Sequence, residues 1–132
     1  MRYMLDTNLC IRVLRDRPKG LRPRFNAEAD ALCISTVVLA ELLYGASKSA
    51  KPVENRRDVE RFAARLGVLA FDADAAAHAA EIRAALERSG RGIGAYDVLI
   101  AGHARSRGLV VVTGNLGEFG RVEGLRCEDW LA

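Results

Sequence analysis

The run Leu109–Val112 consists only of leucine and valine, and it constrains the fold of this chain more than any other segment. A strand that is apolar at every position, instead of at alternate positions, is typical of a parallel sheet covered on both faces. Similar short runs occur earlier in the chain, and segments with helical patterns separate them. Strands are predicted at residues 2–5, 31–34, 68–71 and 109–113, with an edge strand at 125–127.

Helix start and stop signals lie between these runs. Ser35 is predicted to cap a helix that continues to about residue 47, and Pro52 to open another that Gly67 ends after residue 66. Further helices are predicted at 8–15, from Asp72 or Asp74 to 89, and at 95–107, with a short one at 25–29, a loop at 16–24 and a turn or helix at 115–119. Strands that alternate with helices predict one domain over 1–132, a three-layer α/β/α sandwich with a mostly parallel four- or five-stranded sheet.

Composition narrows the class of protein. Of the 132 residues 50% are hydrophobic, which is enough for one core, and no apolar run is long enough to cross a bilayer. Cys10, Cys33 and Cys127 lie far apart, without a zinc-like partner, so we expect reduced thiols, the first two of them buried. An early acidic residue argues against a signal peptide, and we therefore expect a cytoplasmic protein. The net charge of +3 fits a polyanionic partner and an ordinary basic surface equally well.

Acidic residues occur at positions where a core or a ligand edge is predicted. Asp6 directly follows the first strand, where open parallel sheets bind ligands, although a helix N-cap explains the position equally well. Glu41 interrupts the apolar stripe of the helix from Ser35. A charge at such a position must coordinate something or form a buried salt bridge with a lysine or arginine.

Two further segments repeat this pattern. Asp97 lies in the first turn of a predicted helix, where interaction with the helix dipole is the alternative to a binding role. Asn115 and Glu118 follow the strand at 109–113, and Glu118 alone is also compatible with a solvated loop. If these residues share one cleft, a hard cation such as Mg²⁺ would neutralise the carboxylates. An acidic pocket in a basic protein suggests a metal that contacts the phosphate of a nucleic acid.

In four blocks the chain resembles the PIN-domain ribonucleases, specifically the VapC toxins of bacterial toxin–antitoxin pairs. No single block is decisive, but their order is specific and they span nearly the whole chain. The blocks are Met4–Asn8, Ile34–Gly45, Ile93–Ala104, and Val112–Asn115 followed by Glu118, Phe119, Arg121, Val122 and Gly124–Leu125.

The resemblance implies roles for individual residues. Asp6 and Asp97 would be the most direct ligands of Mg²⁺, with Mn²⁺ as an alternative, and Glu41 would bind the metal or orient its water. Thr7 and Asn8 would support Asp6 through hydrogen bonds, and Thr113 and Asn115 would also be supporting residues of the site. Many PIN domains have an aspartate where this chain has Asn115, two residues after Thr113. Either Asn115 or Glu118 therefore fills the fourth acidic position, and the number of metal ions stays open.

The resemblance also implies an activity and partners. We expect metal-dependent hydrolysis of RNA phosphodiester bonds, in tRNA or rRNA, a VapB-like antitoxin and a homodimer. A catalytically silent PIN-like module that binds RNA or protein is the alternative. A receiver-like phosphoacceptor domain is excluded, because its acceptor aspartate lies on a later strand than Asp6. His78 and His103 are predicted to be structural or surface residues. Several arginines, Arg12 and Arg15 among them, are possible phosphate contacts.

Overall fold

The computed structural model describes residues 1–131, so Ala132 of the predicted domain lies outside the described residues. Within 1–131, no helix has the length and hydropathy needed to cross a membrane. The strands are β1 (Tyr3–Leu5), β2 (Leu32–Ser35), β3 (Gly67–Leu69), β4 (Val110–Val112) and β5 (Cys127–Glu128). The helices are α1 (Thr7–Arg15), α2 (Leu21–Glu28), α3 (Thr36–Ser47), α4 (Pro52–Ala63), α5 (Ala73–Arg88), α6 (Ala95–Ser106) and α7 (Leu116–Phe119), with a short 3-10 helix at Ala29–Ala31.

All five strands pair in parallel, in the order β3-β2-β1-β4-β5. Tyr3 of the central strand lies between Leu32 and Val110. Strands β1, β2 and β4 are buried at every position, as the unbroken apolar runs predicted. The α/β fold with a mostly parallel sheet is therefore confirmed. Since parallel strands end at the same edge, Asp6 and Thr113 are brought next to each other there.

Helices α5 and α6 pack closely because one position between them lacks a side chain. A Cβ atom added at Gly102 would lie 2.5 Å from the backbone nitrogen of Ala79. Helix α6 is also tied to the start of α3, because His103 Nδ1 lies 2.8 Å from Ser35 Oγ in the buried core. This contact fixes the two helices that carry Glu41 and Asp97. His103 is thus a structural residue, as predicted.

Several boundaries differ from the predicted ones. The segment predicted as a loop at 16–24 already enters α2 at Leu21, because Leu21 and Phe25 are buried and Pro23 occupies the first turn. A proline is tolerated there, since the first amide groups of a helix have no partner within it. Helix α4 ends at Ala63, and the edge strand is shifted to Cys127–Glu128. Cys10 and Cys33 are free and buried, as predicted.

Candidate active site

Asp6 both caps a helix and faces the carboxyl edge of the sheet. Its Oδ1 accepts a hydrogen bond of 2.8 Å from Leu9 N, which caps α1, and its Oδ2 accepts one of 2.5 Å from Thr113 Oγ1. The side chain is only 3% exposed, and this burial raises the pKa of Asp6, although the two hydrogen bonds oppose the shift. Asp6 therefore is the N-cap of α1, and in this position it also lies close to another acidic residue, Glu41.

Glu41 is held by a hydroxyl group and not by a cation. Thr7 Oγ1 donates a hydrogen bond of 2.7 Å to Glu41 Oε1. No salt bridge to Glu41 occurs within residues 1–131, which removes the salt-bridge alternative. The prediction that Thr7 bonds to Asp6 is wrong, because the Thr7 hydroxyl donates its proton to Glu41, while Leu9 and Thr113 are the donors to Asp6. Thr7 instead links α1 to α3.

Asp97 is the most perturbed acid of the cluster. Burial is the largest cause that raises its pKa from 3.8 to about 7, followed by the hydrogen bond and charge of Glu118 and then the charges of Asp6 and Glu41. Interaction with the helix dipole, the alternative to a binding role, does not by itself explain why three other acidic side chains lie near Asp97. A Cβ atom at Gly94 would lie 3.2 Å from Asp97 Oδ2, so glycine gives this carboxylate the space to approach the connector.

Asn115 has a different position from Glu118. Asn115 is exposed, its backbone nitrogen donates to Thr113 Oγ1 over 2.8 Å, and its Oδ1 accepts a 3.4 Å hydrogen bond from Glu118 N at the start of α7. Glu118 is half-buried and raises the pKa of Asp97. The acidic group next to Asp97 from this segment is therefore Glu118. Asn8, which was expected to support Asp6, is exposed and has no hydrogen bond to Asp6 among the described residues.

Two adjoining clefts open at the acidic cluster. A cleft of about 1050 Å³ is lined by Glu41 and Asp97, and a second of about 600 Å³ contains Asp6. Asn8 and Arg15 line both, so the two clefts are neighbours. The smaller one is also lined by Arg12, Arg15 and Arg17, all exposed, of which only the first two were noted as possible phosphate contacts from the sequence.

The donor set has the chemistry of a divalent cation site. Asp6, Glu41, Asp97 and Glu118 offer carboxylate oxygens, which hard cations such as Mg²⁺ prefer. Burial, and then repulsion by the other three carboxylates, raises the pKa of Asp97. Within residues 1–131, however, no three acidic, histidine or cysteine side chains converge closely enough to hold a metal ion as they stand. The residues therefore fit a cation by chemistry, and the side chains must move closer together to bind it.

Comparisons with known proteins agree on one family. The model of the PIN domain matches residues 3–125. The chain is 52% identical over 130 residues to the "tRNA(fMet)-specific endonuclease VapC" of Shigella flexneri, and 46% identical over 131 residues to "Ribonuclease VapC2" of Haemophilus influenzae. These alignments cover 98% and 99% of each chain, respectively.

Solved structures give the same result. The DNA-bound VapBC of Salmonella typhimurium contains a chain that is 52% identical, with a TM-score of 0.94 and 98% of each chain covered. VapBC-1 of nontypeable Haemophilus influenzae contains one that is 34% identical, with a TM-score of 0.89 and 100% of each chain covered. The similarity therefore extends over the strands and helices that position the acidic cluster.

Proposed function

The chain belongs to the PIN-domain family of VapC ribonucleases, and we propose that Asp6, Glu41, Asp97 and Glu118 form its active site. It is a metal-dependent ribonuclease that acts as the toxin of a toxin–antitoxin pair. The observation that carries the site assignment is geometric: Thr7, which directly follows Asp6, bonds to Glu41, and Glu41 and Asp97 line one cleft. Burial and the nearby Glu118, Asp6 and Glu41 raise the pKa of Asp97, in agreement with this arrangement. Side chains that are far apart in the sequence influence one carboxyl group only if the fold brings them near it.

The proposal assigns a task to each residue, and the contacts of the two threonines support it. Asp6 and Asp97 would be the direct ligands of a divalent cation, Mg²⁺ or Mn²⁺, and Glu41 would bind the metal or orient its water. Thr113 and Thr7 hold Asp6 and Glu41 in place through their hydroxyl groups. A bound cation supplies charge stabilisation for the attacked phosphodiester and lowers the pKa of a coordinated water. Glu118 adds the fourth negative charge, and Asn115 caps the helix that presents it.

RNA is bound by its phosphates in the smaller cleft. Arg12, Arg15 and Arg17 line this cleft together with Asp6, so positive side chains continue directly from the acidic residues. Arg12 also lowers the pKa of Asp6. Arginine pairs well with phosphate oxygens because its guanidinium group donates two parallel hydrogen bonds. We expect tRNA as the substrate, with initiator tRNA tested first because a relative with 52% identity is named for tRNA(fMet).

The partners follow from the family. The similar solved structures are VapBC complexes, and some are bound to DNA. The chain therefore pairs with a VapB-like antitoxin, and a homodimer of the toxin is part of the proposal. The antitoxin would bind and inhibit the ribonuclease.

Purified protein incubated with total RNA and Mg²⁺, followed by mapping of the cleaved ends, tests the assignment. We expect specific cuts that EDTA abolishes and that Asp6→Asn and Asp97→Asn each reduce by at least about a hundredfold, as the loss of a metal ligand should. Asp30→Asn is the control, because this exposed aspartate lies outside both clefts.

The alternative, a silent RNA-binding module, predicts a different result. It requires RNA binding without turnover at any divalent metal concentration, in the unchanged chain and in every variant. Cleavage that persists in EDTA, or in the Asp6→Asn and Asp97→Asn proteins, would contradict the assignment of these acids.

A further inference from the structure

Residues 89–94, here called the connector, join α5 to α6 and determine where Asp97 lies. The connector contains Gly90, Gly92 and Gly94, and Gly90 has a φ of 67°, so its backbone has more conformational freedom than the helices on either side. Helix α6 begins directly after the connector, and Asp97 lies in its first turn. The position of this carboxylate therefore depends on how firmly the connector is held.

An arginine from a distant segment holds the middle of the connector. Arg121 Nη1 donates a hydrogen bond of 3.1 Å to the carbonyl oxygen of Gly92, 29 positions away in the sequence. Backbone hydrogen bonds end α5 at Arg91 N and start α6 at Gly94 O. Between them, within residues 1–131, the backbone of Gly92 and Ile93 makes no hydrogen bond to another backbone group. The guanidinium group of Arg121 therefore fixes a stretch that the backbone leaves free.

Arg121 itself lies on a rigid base next to Glu118. Its backbone nitrogen donates to Glu118 O over 3.0 Å, and the neighbouring side chains of Phe119 and Val122 are buried in the core. The arginine side chain thus joins the segment that carries Glu118 to the segment that leads into Asp97. These two acids share a hydrogen bond, and their carboxylates repel each other when both are ionised.

Two other roles of Arg121 fit the observations less well. A direct contact with RNA in the clefts is one, but Arg121 is not among the described residues that line either cleft. Neutralisation of Asp97 is the other. The pKa of Asp97 is shifted by burial and by three acids, and the positive charge of Arg121 is not among the causes. The contact that accounts for Arg121 is therefore its hydrogen bond to Gly92.

We propose that Arg121 is a positioning residue of the ribonuclease site, which holds the connector through Gly92 and thereby keeps Asp97 next to Glu118 before a cation binds. This role rests on the proposed ribonuclease function and deepens it, because it explains how two repelling carboxylates stay together on a glycine-rich support. A free connector would have to become ordered when the cation binds, and this loss of entropy would weaken binding.

Two measurements on the full chain, prepared without metal, test this role. In calorimetric titration, Arg121→Ala should weaken Mg²⁺ binding by about 2- to 12-fold, the equivalent of one net hydrogen bond. Hydrogen–deuterium exchange should become faster in peptides that cover residues 89–97, because the connector is released. RNA binding in EDTA should not change, since Arg121 is not among the described residues that line the clefts.

A matched control and a rescue separate the hydrogen bond from the charge. Arg126 Nη2 donates to Gly108 O over 3.2 Å, so Arg126→Ala removes the same charge and the same kind of contact elsewhere, and it should leave Mg²⁺ affinity unchanged. Adding Gly92→Ala to the Arg121→Ala protein should restore Mg²⁺ affinity by about 2- to 5-fold, because alanine restricts the backbone. A Cβ atom at Gly92 meets nothing within 4 Å.

Three outcomes would overturn this role. Unchanged Mg²⁺ affinity and unchanged exchange in Arg121→Ala would show that the hydrogen bond does not hold the site. Weaker RNA binding with unchanged Mg²⁺ affinity would make Arg121 a phosphate contact, and a failed rescue by Gly92→Ala would assign the effect to the lost charge. Failure of the unchanged chain to cleave RNA is a separate result: it would refute the ribonuclease proposal, whereas the exchange data would still test the hydrogen bond.

Discussion

Replacing Asp97 with asparagine should stabilise the metal-free protein while it abolishes RNA cleavage. The pKa of Asp97 is raised from 3.8 to about 7 by burial and by Glu118, Asp6 and Glu41. A raised pKa means that the folded chain disfavours the ionised carboxylate relative to the unfolded chain. Asparagine has nearly the same shape without the charge, so the repulsion disappears.

The magnitude and the sign follow from this shift. A change from 3.8 to about 7 corresponds to an upper limit of about 4 kcal/mol, which partial solvent exposure of Asp97 reduces to about 1–2 kcal/mol. The protonated Asp97 carboxyl contributes its stability to the folded chain fully below the unfolded pKa, and this stability is lost as the pH rises through the folded pKa, where the carboxyl ionises. The gain from Asp97→Asn should therefore be larger at about pH 8 than at about pH 5.

Thermal unfolding followed by circular dichroism in EDTA measures this effect. We expect the melting temperature of the Asp97→Asn protein at about pH 8 to rise by about 3 to 10 °C. Asp30→Asn, an exposed control, should change little at either pH. An Asp97→Asn protein that is less stable than the unchanged one, or that gains equally at both pH values, would refute the account of repulsion in the acidic cluster.

Two further substitutions test the contacts around the site. Thr113→Val removes the 2.5 Å hydrogen bond to Asp6 Oδ2, a bond that lowers the pKa of Asp6. We expect a loss of about 1–2 kcal/mol in the free energy of unfolding measured with urea, and a pH profile of cleavage that is shifted to higher pH. An unchanged profile would contradict the positioning role of Thr113. Gly102→Ala places a Cβ atom 2.5 Å from Ala79 N and should lower the free energy of unfolding by about 1–3 kcal/mol. Gly45→Ala is the control: a Cβ atom there meets nothing within 4 Å, so this change should be neutral or stabilising. Equal effects of the two changes would refute the close packing of α5 on α6.

The fold was predictable where one physical signal dominated. Leu109–Val112 contains no polar residue, and burial on both faces of a parallel sheet is the arrangement that such a run favours. The start of α2 was not predictable in the same way. The prolines and basic residues of the segment 16–24 indicate a loop. The burial of Leu21 and Phe25 against the rest of the chain overrides that local signal.

The acidic cluster was predictable as a set, but its hydrogen bonds were not. Asp6, Glu41 and Asp97 were identified because each lies at a strand end or interrupts a helical pattern, and those positions depend on secondary structure alone. The partner of Thr7 depends on which acceptor the packing of α1 on α3 brings close to its hydroxyl group. A hydroxyl has one proton to donate, and the fold places Glu41, 34 positions away in the sequence, within 2.7 Å of the Thr7 hydroxyl, whereas Leu9 and Thr113 are the donors to Asp6.

The acids differ in the hydrogen-bond donors that stabilise their carboxylates, and this difference indicates which acid controls binding of the cation. Asp6 has Leu9 and Thr113 as donors, and Glu41 has Thr7. Asp97, in contrast, has the carboxyl of Glu118 as its main side-chain partner, and every charge that affects it is negative. A bound divalent ion would offset the repulsion between Asp97 and the other carboxylates, and among the acids this repulsion is largest at Asp97. Replacement of Asp97 should therefore weaken Mg²⁺ binding more than replacement of Glu41. Calorimetric titration of Mg²⁺ into the Asp97→Asn and Glu41→Gln proteins measures the difference, and a greater loss in Glu41→Gln would reverse this order.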